Sequence, residues 1–236
     1  GDVYKRQIDT RNMEFEELKD KIVKFVKEEL YSLEPWIYSC EWDEKLPKLN
    51  ELREKVKKMG LWLPQISTDY GGIGLSLQEH GEISEILGGS PYGFYVFNCQ
   101  APDAGNMEIL IEVGTSQQKK DYLTPLLEGK TRSCFAMTEP GYAGSNPTRM
   151  GTIAKKENGN YIINGHKWFT SSFDGADFAI VMVVTDPDEA NPYKRASQII
   201  VPTKTKGVEF VRNVSIMGHP GGGWESHAEI KFNNVD

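Results

Sequence analysis

The sequence is poor in the residue types that mark several protein classes. Its 236 residues include only three cysteines and four histidines. Cys40, Cys99 and Cys134 are far apart and odd in number, so they form neither a disulfide framework nor a Cys-x-x-Cys metal motif. This use of cysteine fits a reducing compartment best. The histidines lack metal-ligand spacing, and we expect no bound metal.

A basic excess and a long apolar run are also missing. Asp and Glu number 34 against 27 Lys and Arg, which gives a net charge of −7. The basic residues are interleaved with acidic ones, a pattern typical of solvated helix faces, so we expect no nucleic-acid binding. No apolar run approaches the roughly 20 residues that a spanning helix needs. The first residues also lack the pattern of a signal peptide.

Two kinds of sequence pattern divide the chain. Up to residue 131, apolar residues recur at spacings of three and four, which predicts helices. From residue 132 the segments are short, rich in strand-forming residues and separated by turns. We therefore predict an α+β protein with an all-helical domain over 1–131 and a β-barrel or β-sandwich over 132–236. Residues 1–12 are expected to be disordered or foreign to the natural protein.

Local signals place several helix ends. Ser76 with Glu79, and Thr115 with Gln118, have the spacing of capping boxes and predict that helices begin there. Pro35 is expected to stop the first long helix, and Gly60 the next one.

Turn signals place the strands in the same way. Asn158-Gly159 between two strand-like runs predicts a hairpin, and Asn164-Gly165 predicts a second turn before Lys167. Phe178–Thr185 is a continuous apolar run of strand length.

Two segments have residue types that suit a large planar cofactor. Cys134–Ser145 is a predicted strand that ends in a turn rich in Gly and Ser, and Trp168–Ser171 places an indole beside hydroxyls. A strand edge offers fixed N–H donors to the polar rim of a flavin, and the Trp could pack on its ring. The residues alone equally allow a surface turn and a core Trp.

Other candidate motifs favour structural roles. Glu139 has no second carboxylate or histidine near it in sequence, so bonding to turn amides is a better interpretation than a general base. Gly218–Trp224 lacks the Lys-Ser/Thr of a P-loop and the strand-to-helix context of a dinucleotide fingerprint. It is predicted to be a tight connection.

The chain resembles the acyl-CoA dehydrogenase family from about residue 15 to its end, and most closely the branch found at the end of larger multidomain proteins. The motifs follow one another in the order of the family. They are Leu61–Pro64, Tyr70–Leu75, Ala101–Met107, Gly114–Leu123, Cys134–Pro140 and Asn164–Thr170.

The resemblance implies a helical domain, a β-domain and a C-terminal helical bundle, with the bundle absent from these residues. It also implies FAD at the junction of the first two domains. The implied cofactor-binding residues are Phe135, Ala136, Met137, Thr138, Gly144, Ser145, Trp168, Phe169 and Thr170. The implied substrate-binding residues are Ser145, Asn98 and Ala101.

The chemistry implied by the resemblance is α,β-dehydrogenation of an acyl-CoA thioester, with hydride transfer to flavin N5. No catalytic residue is assigned, because the family's base is expected beyond residue 236, and the isolated fragment is expected to be inactive. The alternatives are an acyl-CoA oxidase, a flavin-dependent hydroxylase, or a non-catalytic acyl-CoA-binding module. Implied partners are acyl-CoA, an electron-transfer flavoprotein and further copies in a homodimer or homotetramer. The expected location is cytoplasmic in a bacterium and mitochondrial or peroxisomal in a eukaryote.

Overall fold

The structure of the chain is a computed structural model that describes residues 15–236. It divides into two compact units, the first ending at Gly129 and the second spanning Lys130–Asp236. The prediction for residues 1–12 lies outside the described residues.

The first unit is helical. Its α-helices are α1 (Phe15–Phe25), α2 (Glu34–Ile37), α3 (Trp42–Lys58), α4 (Leu77–Leu87), α5 (Gly93–Val96), α6 (Asp103–Val113), α7 (Ser116–Gln118) and α8 (Thr124–Leu127). Wider π-helical turns at Val26–Leu30 and Lys119–Leu123 link several of them, and tighter 3-10 turns form at Tyr31–Leu33 and Thr68–Tyr70. Among residues 15–236, no helix has the length and apolar character needed to cross a membrane.

Local sequence signals explain where these helices begin. The predicted capping boxes are confirmed: the Ser76 backbone N–H donates to Glu79 at 2.8 Å, and the Thr115 N–H donates to Gln118 at 2.9 Å. Each reciprocal bond satisfies a backbone group at the helix start that has no partner within the helix.

The prediction that Pro35 stops the first helix is wrong. The chain stays helical from α1 through the π and 3-10 turns into α2, which contains Pro35 in its first turn. The missing N–H of proline costs nothing in the first turn of a new helix, because that donor has no partner within the helix. The change of helical type therefore accommodates the proline without a break.

The second unit is one mixed sheet. Its strands are β1 (Ser133–Ala136), β2 (Ile153–Glu157), β3 (Asn160–Ser171), β4 (Phe178–Val184), β5 (Ala196–Pro202), β6 (Val208–Asn213) and β7 (His227–Val235). The order across the sheet is β1-β4-β2-β3-β7-β6, and β5 pairs with β4. The predicted α+β class, with helices followed by a β-domain, is confirmed. The core of this unit includes the fully buried Ala136, Val181 and Ile230.

The two predicted turns around β3 have different outcomes. Asn158-Gly159 joins β2 to β3 in an antiparallel hairpin, as predicted. The turn predicted at Asn164-Gly165 is wrong, because β3 runs through it with only a shift in register. Gly165 serves close packing instead: a Cβ there would lie 2.2 Å from Oγ1 of the buried Thr152.

Gly165→Ala is therefore expected to lower the free energy of unfolding by about 1–3 kcal/mol, since overpacking forces neighbouring groups apart. Thermal denaturation measures the effect. Gly141→Ala is the matched control, because a Cβ at Gly141 meets nothing within 4 Å, and it should change stability by less than about 0.5 kcal/mol. Equal stability of the two variants would contradict the packing role.

Candidate functional site

The candidate site begins where β1 ends. Two hydrogen bonds join this end to β3: the Trp168 N–H donates to the Thr138 carbonyl at 3.0 Å, and Oγ1 of Thr138 donates to the Trp168 carbonyl at 2.7 Å. Residues 30 apart in sequence are thereby fixed side by side. The structure thus brings together the two segments that the sequence singled out.

β1 is an edge strand of the described sheet, pairing only with β4. Phe135, Met137 and Thr138 are half-buried beside this edge, whereas Ala136 is fully buried in the core. An edge strand presents backbone N–H and C=O groups that no neighbouring strand uses. The edge of a strand is therefore a place where a ligand can hydrogen-bond to the backbone.

A bulge in β3 presents the aromatic part of the site. Between Lys167 and Thr170 the pairing with β7 shifts, so that Trp168 and Phe169 together oppose Glu229. Phe169 has a φ of 50°, which is unusual for a residue with a bulky side chain. The two rings lie 4.8 Å apart, and Phe169 is 41% exposed. Bulges often redirect side chains beside functional sites, and at this one the rings of Trp168 and Phe169 lie against each other.

Thr170, which follows the bulge, occupies a different environment. It pairs with the buried Ala228 and is only 1% exposed. Its Oγ1 has no hydrogen-bond partner among the described residues. The next residue, Ser171, is half-buried, and its Oγ lies 2.8 Å from Nδ1 of His227.

A buried ion pair supports the loop after β1. Nζ of Lys167 donates to Oε1 of Glu139 at 2.9 Å and to the Met137 carbonyl at 2.7 Å. The Glu139 carboxylate also accepts from the Gly151 N–H at 2.6 Å and the Thr152 N–H at 2.9 Å. The prediction that Glu139 bonds turn amides is confirmed. Its contacts tie together both ends of the exposed loop that contains Gly144 and Ser145.

The pKa of Glu139 reflects these contacts. Burial acts to raise the pKa, but the hydrogen bonds from Lys167, Thr152 and Gly151 outweigh it and hold the pKa below its ordinary range. The pKa of an unfolded glutamate is about 4.3. A carboxylate whose folded-state pKa is lower stabilises the fold at a pH above the unfolded-state pKa. That stabilisation is lost as the pH falls through the folded-state pKa.

An NMR titration of the Glu139 carboxyl carbon should therefore give a midpoint below about 4.3. The stability of the chain should fall over the acidic range between the two values, in part because of this group. A midpoint at or above the ordinary value would contradict the assignment.

The loop borders an open cleft of about 270 Å³, which is also lined by Gly151, Gly165 and His166. The loop side of the cleft consists of residues 139–142. His166 lies 2.8 Å from Glu229, which also accepts a bond from Arg212. The contacts with Arg212 and His166 lower the pKa of Glu229, and partial burial acts to raise it. The contacts outweigh burial, so the pKa lies below its ordinary value.

Asn98 and Ala101 belong to the helical unit. Asn98 is 1% exposed, and its amide accepts from Arg53 and donates to the Leu126 carbonyl, both at 3.1 Å. The side chain is therefore engaged within its own unit, whereas Ala101 is exposed. Their role in substrate binding stays a prediction.

Asn98→Ala is expected to destabilise the helical unit by about 2–4 kcal/mol, because it leaves buried groups unpaired and places alanine at a φ of 57°. Urea denaturation measures the loss. Asn98→Gly is the matched variant, since glycine adopts this φ without strain and reports the lost hydrogen bonds alone. An unchanged stability in both variants would contradict a structural role for the Asn98 amide.

Gly218–Trp224 forms tight turns, as predicted, with positive φ at Gly218, Gly221 and Gly223. Among residues 15–236, no group of three His, Cys, Asp or Glu side chains could hold a metal ion.

Comparison with known proteins is consistent with this architecture. The pattern of the acyl-CoA dehydrogenase N-terminal domain matches residues 12–130, and that of the middle domain matches residues 134–235. The chain therefore belongs to the acyl-CoA dehydrogenase family. The family's C-terminal helical domain is not within these residues.

Individual relatives agree with the family assignment. Acyl-CoA dehydrogenase family member 10 of Mus musculus is 40% identical over 232 residues, which cover 92% of this chain and 21% of the mouse protein. A solved structure from Mycobacterium abscessus, classed with the acyl-CoA dehydrogenases, superposes with a TM-score of 0.86 at 34% identity, covering 94% of this chain and 57% of that one. A glutaryl-CoA dehydrogenase from Mycobacterium smegmatis in complex with FADH2 shares the fold, with a TM-score of 0.71 at 23% identity, and the match covers 95% of this chain and 53% of that one. The chain thus spans about a fifth of the mouse relative and little more than half of the solved ones.

Proposed function

We propose that this chain is the FAD-holding part of an enzyme that dehydrogenates an acyl-CoA thioester between its α and β carbons. The observation that carries the proposal is the pair of hydrogen bonds between Thr138 and Trp168 at an edge strand. Membership of the acyl-CoA dehydrogenase family supports it, as does the FADH2 complex of the Mycobacterium smegmatis relative.

The residues at this edge fit a flavin in three respects. Phe135, Met137 and Thr138 offer a half-exposed row, and the β1 backbone offers donors and acceptors to a polar rim. Trp168 and Phe169 supply aromatic surface next to that row. The open space at Gly141 leaves room for a ligand beside the loop.

Bound at this edge, FAD would supply an acceptor for the hydride. The chain's own residues would bind and orient it: β1 and Thr138 at the polar rim, Gly144 and Ser145 on the loop, and Trp168 and Phe169 on the ring. Orientation matters because hydride transfer requires the reacting atoms to be aligned and close. The Glu139–Lys167 pair would keep the loop in place.

The proposal assigns no general base to the described residues around this edge. The buried Glu139 carboxylate accepts three hydrogen bonds, one of them from the charged Lys167, and Glu229 is engaged by His166 and Arg212. We expect the base beyond residue 236. We also propose acyl-CoA as substrate in fatty acid metabolism, an electron-transfer flavoprotein as acceptor, and a homo-oligomeric state for the whole protein.

The test is to express the chain together with whatever sequence follows it in its gene. The purified protein should be yellow, with the absorption bands of bound flavin, and an acyl-CoA should bleach them. Transfer of electrons to an artificial acceptor without release of peroxide identifies a dehydrogenase, whereas stoichiometric peroxide identifies an oxidase. A folded, colourless protein that takes up no FAD would refute the proposal.

A further inference from the structure

The loop after β1, residues 141–150, packs closely on its own unit at two points. Gly144 lies on Thr138, since a Cβ added at Gly144 would be 3.2 Å from the methyl carbon of Thr138. The ring of Tyr142 lies on Gly151, where an added Cβ would be 2.6 Å from the Tyr142 hydroxyl oxygen and 2.7 Å from a ring carbon. The last two distances are shorter than van der Waals contact, so the ring lies directly on the backbone of Gly151.

Tyr142 is the largest side chain in the part of this loop that leads to Ser145. The other residues of that segment, 141 and 143–145, are glycine, alanine or serine, and all of them are exposed. Tyr142 is 47% exposed, so the rest of its surface is covered. A run of small residues has many accessible backbone conformations, because it buries little surface. The contact of Tyr142 with Gly151 therefore favours one of them.

The backbone on which the ring lies is itself fixed. The Gly151 N–H donates to the Glu139 carboxylate at 2.6 Å, and the buried Glu139 is paired with Lys167 at 2.9 Å. The Tyr142 N–H also donates to the Glu139 carbonyl, at 3.3 Å. Glu139 thus bonds both partners of the contact, and this fixes the position of the loop relative to the end of β1.

We propose that Tyr142 is a positioning residue for the acyl-CoA substrate, and that the contact of its ring with Gly151 holds Ser145 beside the end of β1. This inference rests on the proposed function, because it takes Ser145 as a contact of acyl-CoA. Tyr142 itself acts through Ser145 and is not assigned a contact with acyl-CoA or FAD.

The first test measures KM and kcat of the whole protein, expressed with the sequence that follows this chain in its gene. The substrates are saturated straight-chain acyl-CoA thioesters, with an artificial electron acceptor. Tyr142→Ala should raise KM about three- to tenfold and leave kcat within about twofold, because a misplaced binding residue weakens binding without changing the alignment of the reacting atoms. Tyr142→Phe keeps the ring and should retain the wild-type KM.

A second variant tests the contact itself. The three atoms nearest to a Cβ added at Gly151 all belong to Tyr142, so Gly151→Ala should displace the ring and raise KM to the same extent. In the Tyr142→Ala background the added Cβ has room, and Gly151→Ala should then change nothing further. Tyr161→Ala is the matched control, because Tyr161 is similarly exposed, at 42%, and lies near the start of β3.

Limited proteolysis gives a readout that requires neither FAD nor activity. Arg149 is exposed in the same loop, so cleavage by trypsin after it reports how firmly the loop is held. Tyr142→Ala and Gly151→Ala should be cut there at least about threefold faster, whereas Tyr142→Phe and Tyr161→Ala should match the wild type. The FAD dissociation constant should change less than about threefold, since the contacts proposed on β1 and at Trp168 remain.

The outcomes separate this inference from the proposed function. If the wild-type enzyme binds FAD and oxidises acyl-CoA, but Tyr142→Ala keeps its KM, the inference is wrong and the proposed function stands. A loss of kcat at unchanged KM would also overturn it, because a partly unfolded variant has fewer active molecules and the role would be structural. If Tyr142→Ala does not fold, the KM of Gly151→Ala decides. If the folded wild-type protein binds no FAD, both fail.

Discussion

Replacing Trp168 with alanine should weaken FAD binding by roughly 10- to 100-fold, because stacking of a flat ring system on an aromatic side chain is worth about 1–3 kcal/mol. The effect follows from the place of Trp168 in the bulge of β3, beside the ring of Phe169 and bonded to Thr138. The substitution removes the indole but keeps the backbone N–H and carbonyl through which this position bonds to Thr138. The strand should therefore keep its course.

The dissociation constant can be measured by titrating the apoprotein with FAD and following flavin fluorescence. Tyr193→Ala is the control. Tyr193 is also an aromatic residue of the β unit, but it is 78% exposed and far in sequence from Trp168. Its removal should leave the affinity unchanged. If Trp168→Ala bound FAD as tightly as the wild type, the indole would have no part in the site.

Glu139→Gln should lower the free energy of unfolding by about 3–5 kcal/mol, since it leaves the charge of Lys167 buried without its partner. Lys167 and Glu139 are 0% and 4% exposed, so water cannot replace the lost contact. Glutamine can still accept from one or both amides of Gly151 and Thr152, which makes the missing charge the main change. The same variant should loosen the loop after β1, residues 141–150, which contains Gly144 and Ser145, and thereby weaken FAD binding.

Urea denaturation followed by circular dichroism measures the loss of stability. Glu157→Gln is the control, because Glu157 is an exposed carboxylate on a strand of the same sheet, and its neutralisation should have little effect. Lys167→Met, which removes the other charge and keeps an apolar stem, should partly restore stability to Glu139→Gln. Equal stability of Glu139→Gln and the wild type would contradict the structural role of the pair.

Sequence patterns predicted the features that depend on neighbouring residues. The capping boxes at Ser76 and Thr115 and the hairpin at Asn158-Gly159 are decided within four residues, and the structure confirms them. The failed predictions have different causes. Pro35 is predicted to stop the first long helix, but it lies in the first turn of α2, where proline is tolerated. Gly165 is predicted to be a turn residue, but it lies in β3 and packs closely on Thr152, which is distant in sequence.

The parts of the site that sequence reasoning missed are contacts between distant residues. Lys167 meets Glu139 across 28 positions, and His227 meets Ser171 across 56. Nothing near Lys167 in the sequence indicates that it is buried, and a lone histidine has no pattern that identifies its partner. The bulge was equally hidden, because it depends on the register between β3 and β7. Once the register of β3 and β7 is known, the pairing of Ser171 with His227 follows from it.

The most direct test of the account is a crystal structure of the protein with FAD. We predict that the isoalloxazine ring lies against Trp168, with its polar rim along β1 and at Thr138. A structure in which FAD binds elsewhere, with Trp168 and Thr138 both left in contact with solvent, would contradict the central claim.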